Sequence, residues 1–525
     1  MKKFSTLLLS IAIVSGGYYF YSQQILTPKI LKDDIYIKNS KVYSVFTDEP
    51  ISGYIMSKNW SDSIYTKYKK GVLNSKKIVN QNFKLVLQEN YNENGLLSGE
   101  AYKTINDVNY TLNYKNNILN GKATIGDEQV DFIDGTINGS DILPKYHSKN
   151  KINYQEGVPD FIKLDLPSEK YPKNLLVNTI VPENFTGGLL NTGENETTLF
   201  EYNEGALIRI RVYNAGNYGI EGLKIRDVIY GNNNQIKEEF KYENGILKSA
   251  SSYNDNNRKD GVFYNINLYS QAFYLTTYSD GILNGESQEY HFNNKGELEK
   301  IFGFYNLGIY SGDKLKSNEI ETYVDGFKTN DLKLQSRVNI KAKIENFKKI
   351  PENFTGFNRE NHKVIEYKDG NPIKEYTYFD FSTVVKELNK DGSYKESKYK
   401  DGLIFEIYNF DKNGVKNGPC TLYVHNDLNG RTIGQMVDGK AFGEFKHYHE
   451  NDIFFIDIYK GDGTYKRTVY YDYEKNKIQT ISKGEFINGT WKEENIANFD
   501  KEGNPIPTEK SKSIRYDNIN FDTID

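Results

Sequence analysis

A chain of 525 residues is longer than one compact domain usually runs, so two to four domains or a repeat array is expected. Its 67 basic and 71 acidic residues leave a formal net charge of −4, which argues against a nucleic-acid binder and against a long acidic tail. The hydrophobic share of 37%, with 43 Tyr against 2 Trp, favours a thin exposed sheet whose Tyr rings pack while their hydroxyls stay wet. Codon bias of an AT-rich genome is the alternative account of the Tyr and Lys excess.

The first predicted element is apolar. Met1-Lys2-Lys3 is a short basic region, Phe4 to Val14 is an apolar run, and the small residues Ser15-Gly16-Gly17 follow. Counted on to Tyr21, the stretch from Phe4 is just long enough to span a bilayer. Residues 1–24 therefore predict a hydrophobic helix that is either a cleaved signal peptide or an uncleaved membrane anchor. The lack of an A-x-A site favours the anchor, and no Cys follows that would make a lipoprotein. Either way the body is expected outside the cytoplasm, in the cell envelope or secreted, touching the membrane through this segment only.

Beyond it a motif recurs: an aromatic, then Asn, Asp or Glu, then Gly, then Leu or Ile. It is spelled YNENGLLSG (Tyr91 to Gly99), YKNNILNG (Tyr114 to Gly121), FIDGTING (Phe132 to Gly139), YNEGALI (Tyr202 to Ile208) and YENGILK (Tyr242 to Lys248). It returns as YSDGILNG (Tyr278 to Gly285), YVDGFK (Tyr323 to Lys328), YKDGNPIK (Tyr367 to Lys374), YKDGLIF (Tyr399 to Phe405) and MVDGKAFG (Met436 to Gly443). Asn-Gly and Asp-Gly supply the positive φ values of a tight I′ hairpin turn. Turns recur at a spacing of about 20 residues, as from Gly439 to Gly461, which fits one hairpin per repeat.

Between the turns, apolar and polar residues alternate. Ile208, Ile210 and Val212 oppose Arg209, Arg211 and Tyr213; Ile456 and Ile458 oppose Asp457 and Tyr459; Val469, Tyr471 and Tyr473 share a face. This is the signature of half-buried strands, with apolar side chains lining one flank of a ribbon. Helical periodicity is confined to the stretch 1–30 and to a short helix admitted over Thr383 to Asn389.

A longer period lies above the first. VPENFTGG (Val181 to Gly188) recurs as IPENFTGF (Ile350 to Phe357), so that Gly356 answers Gly187, and EPISGYI (Glu49 to Ile55) is a decayed earlier copy. The Gly of each copy is expected in a turn, with Phe185 and Phe354 as buried staples. Three repeat modules follow, at 33–160, 161–329 and 330–525, with Asp141 to Lys173 and Asp331 to Lys349 as linkers or leading strands.

Repeats such as YNENGLLSG, YENGILKSA and YSDGILNGESQEY resemble the bacterial variant of MORN repeats, an antitoxin-like family. The resemblance covers about two thirds of residues 85 to 490. It implies an all-β fold, an elongated antiparallel sheet of tandem β-hairpins, and binding or scaffolding rather than catalysis. The expected partner is a protein or a cell-envelope glycan. An immunity or antitoxin-type protein that neutralises a toxin is the alternative.

Sequence motifs for chemistry are sparse. Cys420 is the single cysteine, so no internal disulfide forms; in GPCTLYV it is expected as a buried structural thiol, since nearby His425 has no supporting pattern. His447 and His449 fall on one strand face, where Glu444, Glu450 or Asp452 would complete a metal site, but exposed strand histidines are the favoured reading. DKNGVKNG (Asp411 to Gly418) has calcium-loop spacing yet lacks the Glu at position twelve, so a turn is favoured. No catalytic residue, cofactor-binding residue or metal ligand is assigned, and no enzyme activity is expected.

Overall fold

The spelling of the turns sets the architecture. Two consecutive residues hold positive φ at Asp134-Gly135, Glu204-Gly205, Asn244-Gly245, Asp280-Gly281, Asp325-Gly326, Asp369-Gly370, Asp401-Gly402 and Asp438-Gly439. Asn116-Asn117 does the same without glycine. Left-handed values at both corner positions define the I′ turn, whose twist matches that of the strands it joins. The second turn type is an Asx loop. In DKNGVKNG the Asp411 carboxylate accepts the N–H groups of Asn413 and Val415, at 2.8 and 2.9 Å.

A computed structural model describes residues 29–30, 32–38, 41–59, 61–140, 150–167, 172–215, 220–268, 270–316, 319–328, 342–360, 363–379, 382–424, 427–449, 452–470, 477–487 and 490–507. The expected hydrophobic helix at 1–24 lies outside them, as do His425, Glu450, Tyr471 and Tyr473. The described residues are all-β, and no helix among them is long and apolar enough to cross a membrane. Their strands form a 13-stranded, a 14-stranded and a 15-stranded sheet, plus the small hairpin of Ile35–Lys38 and Lys41–Ser44. Strand order follows chain order almost throughout, so each sheet is a repeated β-hairpin meander.

Each large sheet opens the same way. A short strand (Lys29–Ile30, Leu175–Val177 or Ile344–Glu345) pairs in parallel with Gly53–Asn59, Gly187–Thr192 or Gly356–Glu360. The other described pairings are antiparallel. Just before the second strand, Asn184 and Asn353 take the left-handed corner, with Phe185 N–H donating to Pro182 O and Phe354 N–H to Pro351 O. The glycine of the PENFTG copies therefore starts the strand rather than forming the corner. At Gly187 the reason is space: a Cβ would lie 2.5 Å from Asn174 O and 2.6 Å from the Phe185 ring. Phe185 and Phe354 are half-buried, resting on Tyr202 and Tyr367.

The carboxyl side of the same motif latches the next turn. Thr186 Oγ1 accepts the Glu204 N–H and Phe185 O the Gly205 N–H, both at 2.9 Å. Thr355 and Phe354 do the same for Asp369 and Gly370, and Ser52 and Ile51 for Lys70 and Gly71. Within the ladder, Asn120 with Leu119 holds Asp134-Gly135, and Ser311 with Tyr310 holds Asp325-Gly326. Turn tips normally leave backbone donors to water; here each is tied to the preceding turn.

The chain divides into two compact units, the first holding residues 1–258, 263–273 and 291–298, the second the remainder. In the first unit the turns of two sheets interlock. Leu119 N–H bonds Gly222 O, Lys224 N–H bonds Gly135 O, Ile137 N–H bonds Gly245 O and Leu247 N–H bonds Gly157 O. Beneath them lies a core of Leu96, Ile118, Leu190, Leu199 and Tyr213. In the second unit Tyr310 N–H bonds Gly402 O and Ile404 N–H bonds Gly326 O, above a core that includes Ile282, Leu307, Val364, Val385 and Ile404.

Two further expectations are corrected. Thr383 to Asn389 is no helix: Ser382–Leu388 is a strand paired on both sides, because β-branched Thr383, Val384 and Val385 suit the pleat and Val385 is core. In two of the alternating strands the face that carries the charges is the more buried one. In Ala206–Asn214 it is Arg209, Arg211 and Tyr213 that are buried, while Ile208 is 40% exposed. In Asp452–Lys460, Asp457 and Tyr459 are buried and Ile458 is 48% exposed. The side chains on the buried face carry their own partners, which removes the cost that normally keeps charge outside.

Candidate functional site

Three polar constellations stand out, two sealed and one open. The first sits in the first unit, where the sheet turns interlock. Arg211, fully buried, donates to Asp134 Oδ2 at 2.9 Å and to Glu201 Oε1 at 2.8 and 2.5 Å. Lys224 Nζ lies 2.8 Å from the same Asp134 oxygen, and the Tyr213 hydroxyl donates to Asp134 Oδ1 at 2.8 Å. Arg209 grips Asp227 with two hydrogen bonds, at 2.9 and 2.6 Å. Three cations thus face three carboxylates. Asp134 belongs to an I′ turn whose left-handed corner suits Asp, so one residue supplies both turn geometry and counter-charge. Gly135 beside it must lack a Cβ, which would lie 2.5 Å from Lys224 N.

The second constellation lies in the second unit. Thr432 Oγ1 is 2.7 Å from His447 Nδ1, and His447 Nε2 is 3.1 Å from Asp457 Oδ2. The carboxylate only accepts, so Nε2 carries the ring proton and the hydroxyl donates to Nδ1. Arg467 holds Asp457 with bonds of 2.8 and 3.0 Å and reaches Glu493 at 3.2 Å; Ser482 also donates to Glu493. Burial pushes His447 below the usual imidazole range, against the pull of Asp457. Burial works to raise Asp457, but the hydrogen bonds from His447 and Arg467 outweigh it and hold the carboxyl low.

Hydroxyl, imidazole and carboxylate are here in relay order, as in a nucleophilic triad. Yet Thr432, His447 and Asp457 are all buried, and Phe455 stacks on the imidazole at 3.8 Å between centroids. No substrate carbonyl reaches the hydroxyl in this arrangement. The expectation of exposed strand histidines is thus corrected at His447, whose two nitrogens are both engaged. His449, two residues on, is only half-buried. Among the described residues no group of three or more His, Cys, Asp and Glu is placed to hold a metal ion. Cys420 is buried beside Tyr408 and Met436, and burial pushes its thiol up to about 11. It is a packed thiol with little thiolate at neutral pH.

The third constellation is open. On the outer face of the first sheet lies a groove of about 440 Å³ across strands Gly99–Ile105, Val108–Lys115, Gly121–Ile125, Glu128–Ile133 and Thr136–Ser140. Alternation puts Ala101, Leu112, Ala123, Val130 and Phe132 inward and leaves the outward positions polar. One row reads Glu100, Asn113, Lys122, Asp131 and Asn138; the next reads Thr111, Thr124 and Gln129. Asn113 Nδ2 donates to Lys122 O, which pins the first row. Among the described residues, the side chains of Glu100, Thr111, Lys122, Thr124, Gln129, Asp131 and Asn138 have no hydrogen-bond or ion-pair partner.

Sequence reading foresaw none of these three groupings. The signal available for the sealed pair was an isolated charge sharing a strand face with Tyr, as Arg211 does with Tyr213 and Asp457 with Tyr459. For the groove it was a run of outward Thr, Asn and Gln in place of Ile. No protein-family model matches the chain, and no curated protein matches it.

Proposed function

We propose that the protein is an exported, envelope-associated hairpin-repeat protein, MORN-like in its repeats, that acts as a binding or scaffolding surface for a protein or glycan partner. The observation that carries this reading is the open groove: seven polar side chains in register on an antiparallel face, without hydrogen-bond or ion-pair partners among the described residues. The polar groups of the two sealed sites, by contrast, close on one another around Asp134 and Asp457. Groups left open on an ordered sheet keep their hydrogen-bonding capacity for a ligand and cost little ordering on binding. Export rests on the basic-apolar pattern of residues 1–24.

The test is capture from envelope extracts with the immobilised full chain. A protein or polymer retained by the native chain, and lost when Gln129→Ala and Asn138→Ala are combined, is the expected result. Equal retention by both chains, or no retention by either, contradicts the reading.

A further inference from the structure

We infer that the groove on the first sheet takes a linear, uncharged polysaccharide laid across the strands, about one sugar ring per strand. This rests on the binding reading above and names its ligand class.

Three features point there. The first is spacing. Neighbouring strands lie about 4.8 Å apart, so the five strands from Gly99–Ile105 to Thr136–Ser140 offer a polar row of about 19 Å. A linear chain of pyranose rings advances by a similar step, so each ring meets one strand and offers its hydroxyls to the polar side chains there. The second is chemistry. Thr111, Thr124, Gln129 and Asn138 each both donate and accept, as sugar hydroxyls do, and none is consumed internally. At the edge of the second row Tyr102 pairs with Thr111. Its hydroxyl donates to Asn109 Oδ1 at 2.9 Å, which holds an aromatic ring beside the groove's lining, where the apolar face of a sugar can stack. The third is charge. The lining carries Glu100 and Asp131 against Lys122, one more acid than base. A polyphosphate or sulfated chain needs rows of cations to replace its counterions, and the groove lacks them.

The full chain is run by affinity electrophoresis through gels cast with hydroxyethylcellulose, with glycol chitin or with heparin. Retardation by at least one of the first two and none by heparin is expected. Thr124→Arg, which fills the middle of the groove, and Gln129→Ala, which only removes an exposed amide, should each weaken that retardation by tenfold or more. Both should keep the native circular dichroism spectrum. No retardation by either uncharged polymer, retardation by heparin alone, or wild-type retardation of both variants overturns the proposal. If it falls while groove-dependent capture from the envelope persists, the ligand class is wrong and the binding reading stands; if both fail, both are wrong.

Discussion

Asp134 shows how much one residue settles. It takes a left-handed corner with φ of 48°, and its two carboxylate oxygens receive Arg211, Lys224 and Tyr213. Asp134→Asn keeps the corner, which Asn tolerates equally, and removes the charge. Arg211 and Lys224 are then left undercompensated in a dry site, at a cost of about 3–5 kcal/mol. Denaturant unfolding of the variant should show that loss, whereas a loss under about 1 kcal/mol would mean the site is wet. The corner itself was legible in the sequence, because φ preference is local. Its partner was not, because Arg211 lies far along the chain, on a strand of another sheet. Leu307 marks the converse limit: it holds a φ of 50° with no side-chain preference for it, kept there by its place in the core.

His447 makes a pH prediction at the same scale. Its folded pKa lies below the unfolded value of about 6.5, so the unfolded chain takes up the proton first. Stability is therefore full above pH ~6.5 and declines as pH falls from there towards the folded pKa. Asp457, also held low, contributes separately, with stability lost only as pH falls below the ordinary carboxylate range. Thermal midpoints from pH 7.5 to 5 should fall for the native chain. They should fall less for His447→Gln, whose amide keeps a donor for Asp457 and an acceptor for Thr432 but does not titrate. Parallel falls in both would remove His447 as the cause.

For a whole strand, alternation was easy to read and its direction was not. Period two predicted strands through Ala206–Asn214 and Asp452–Lys460, and strands they are. Hydrophobicity alone would put the isoleucines inside, whereas the structure buries Arg209, Arg211, Asp457 and Tyr459. The face that carries the charges goes in because they find buried counter-charges on neighbouring strands, information that no single strand carries. This inversion is testable within one strand. Ile458→Thr should change stability by no more than about 0.5 kcal/mol, as a surface substitution. Asp457→Asn, its neighbour, should cost about 3–5 kcal/mol by stranding Arg467. A larger loss at Ile458 than at Asp457 would restore the conventional orientation. The groove was illegible for a related reason: outward Thr, Asn and Gln look like ordinary solvated positions until register lines up five strands.

Over the whole molecule, long antiparallel meanders gain stability from neighbour to neighbour, each hairpin being marginal alone. The turn latches supply a second, lateral connection. They join one corner to the preceding one through a carbonyl and a side-chain oxygen, and recur at Ser52, Asn120, Thr186, Ser311 and Thr355. The sequence repeats are then explained twice over: Gly for the corner, and Ser, Thr or Asn placed to hold the next one. A ladder latched in this way presents a fixed outer face, which a register-matched ligand requires. The most direct test is residue-resolved hydrogen exchange of the full chain at the corner glycines Gly71, Gly135, Gly205, Gly326 and Gly370. Their amides should exchange as slowly as those of the flanking strands, because Ile51, Leu119, Phe185, Tyr310 and Phe354 accept them. Exchange at the rate of free hairpin tips at these five positions would contradict the latched ladder.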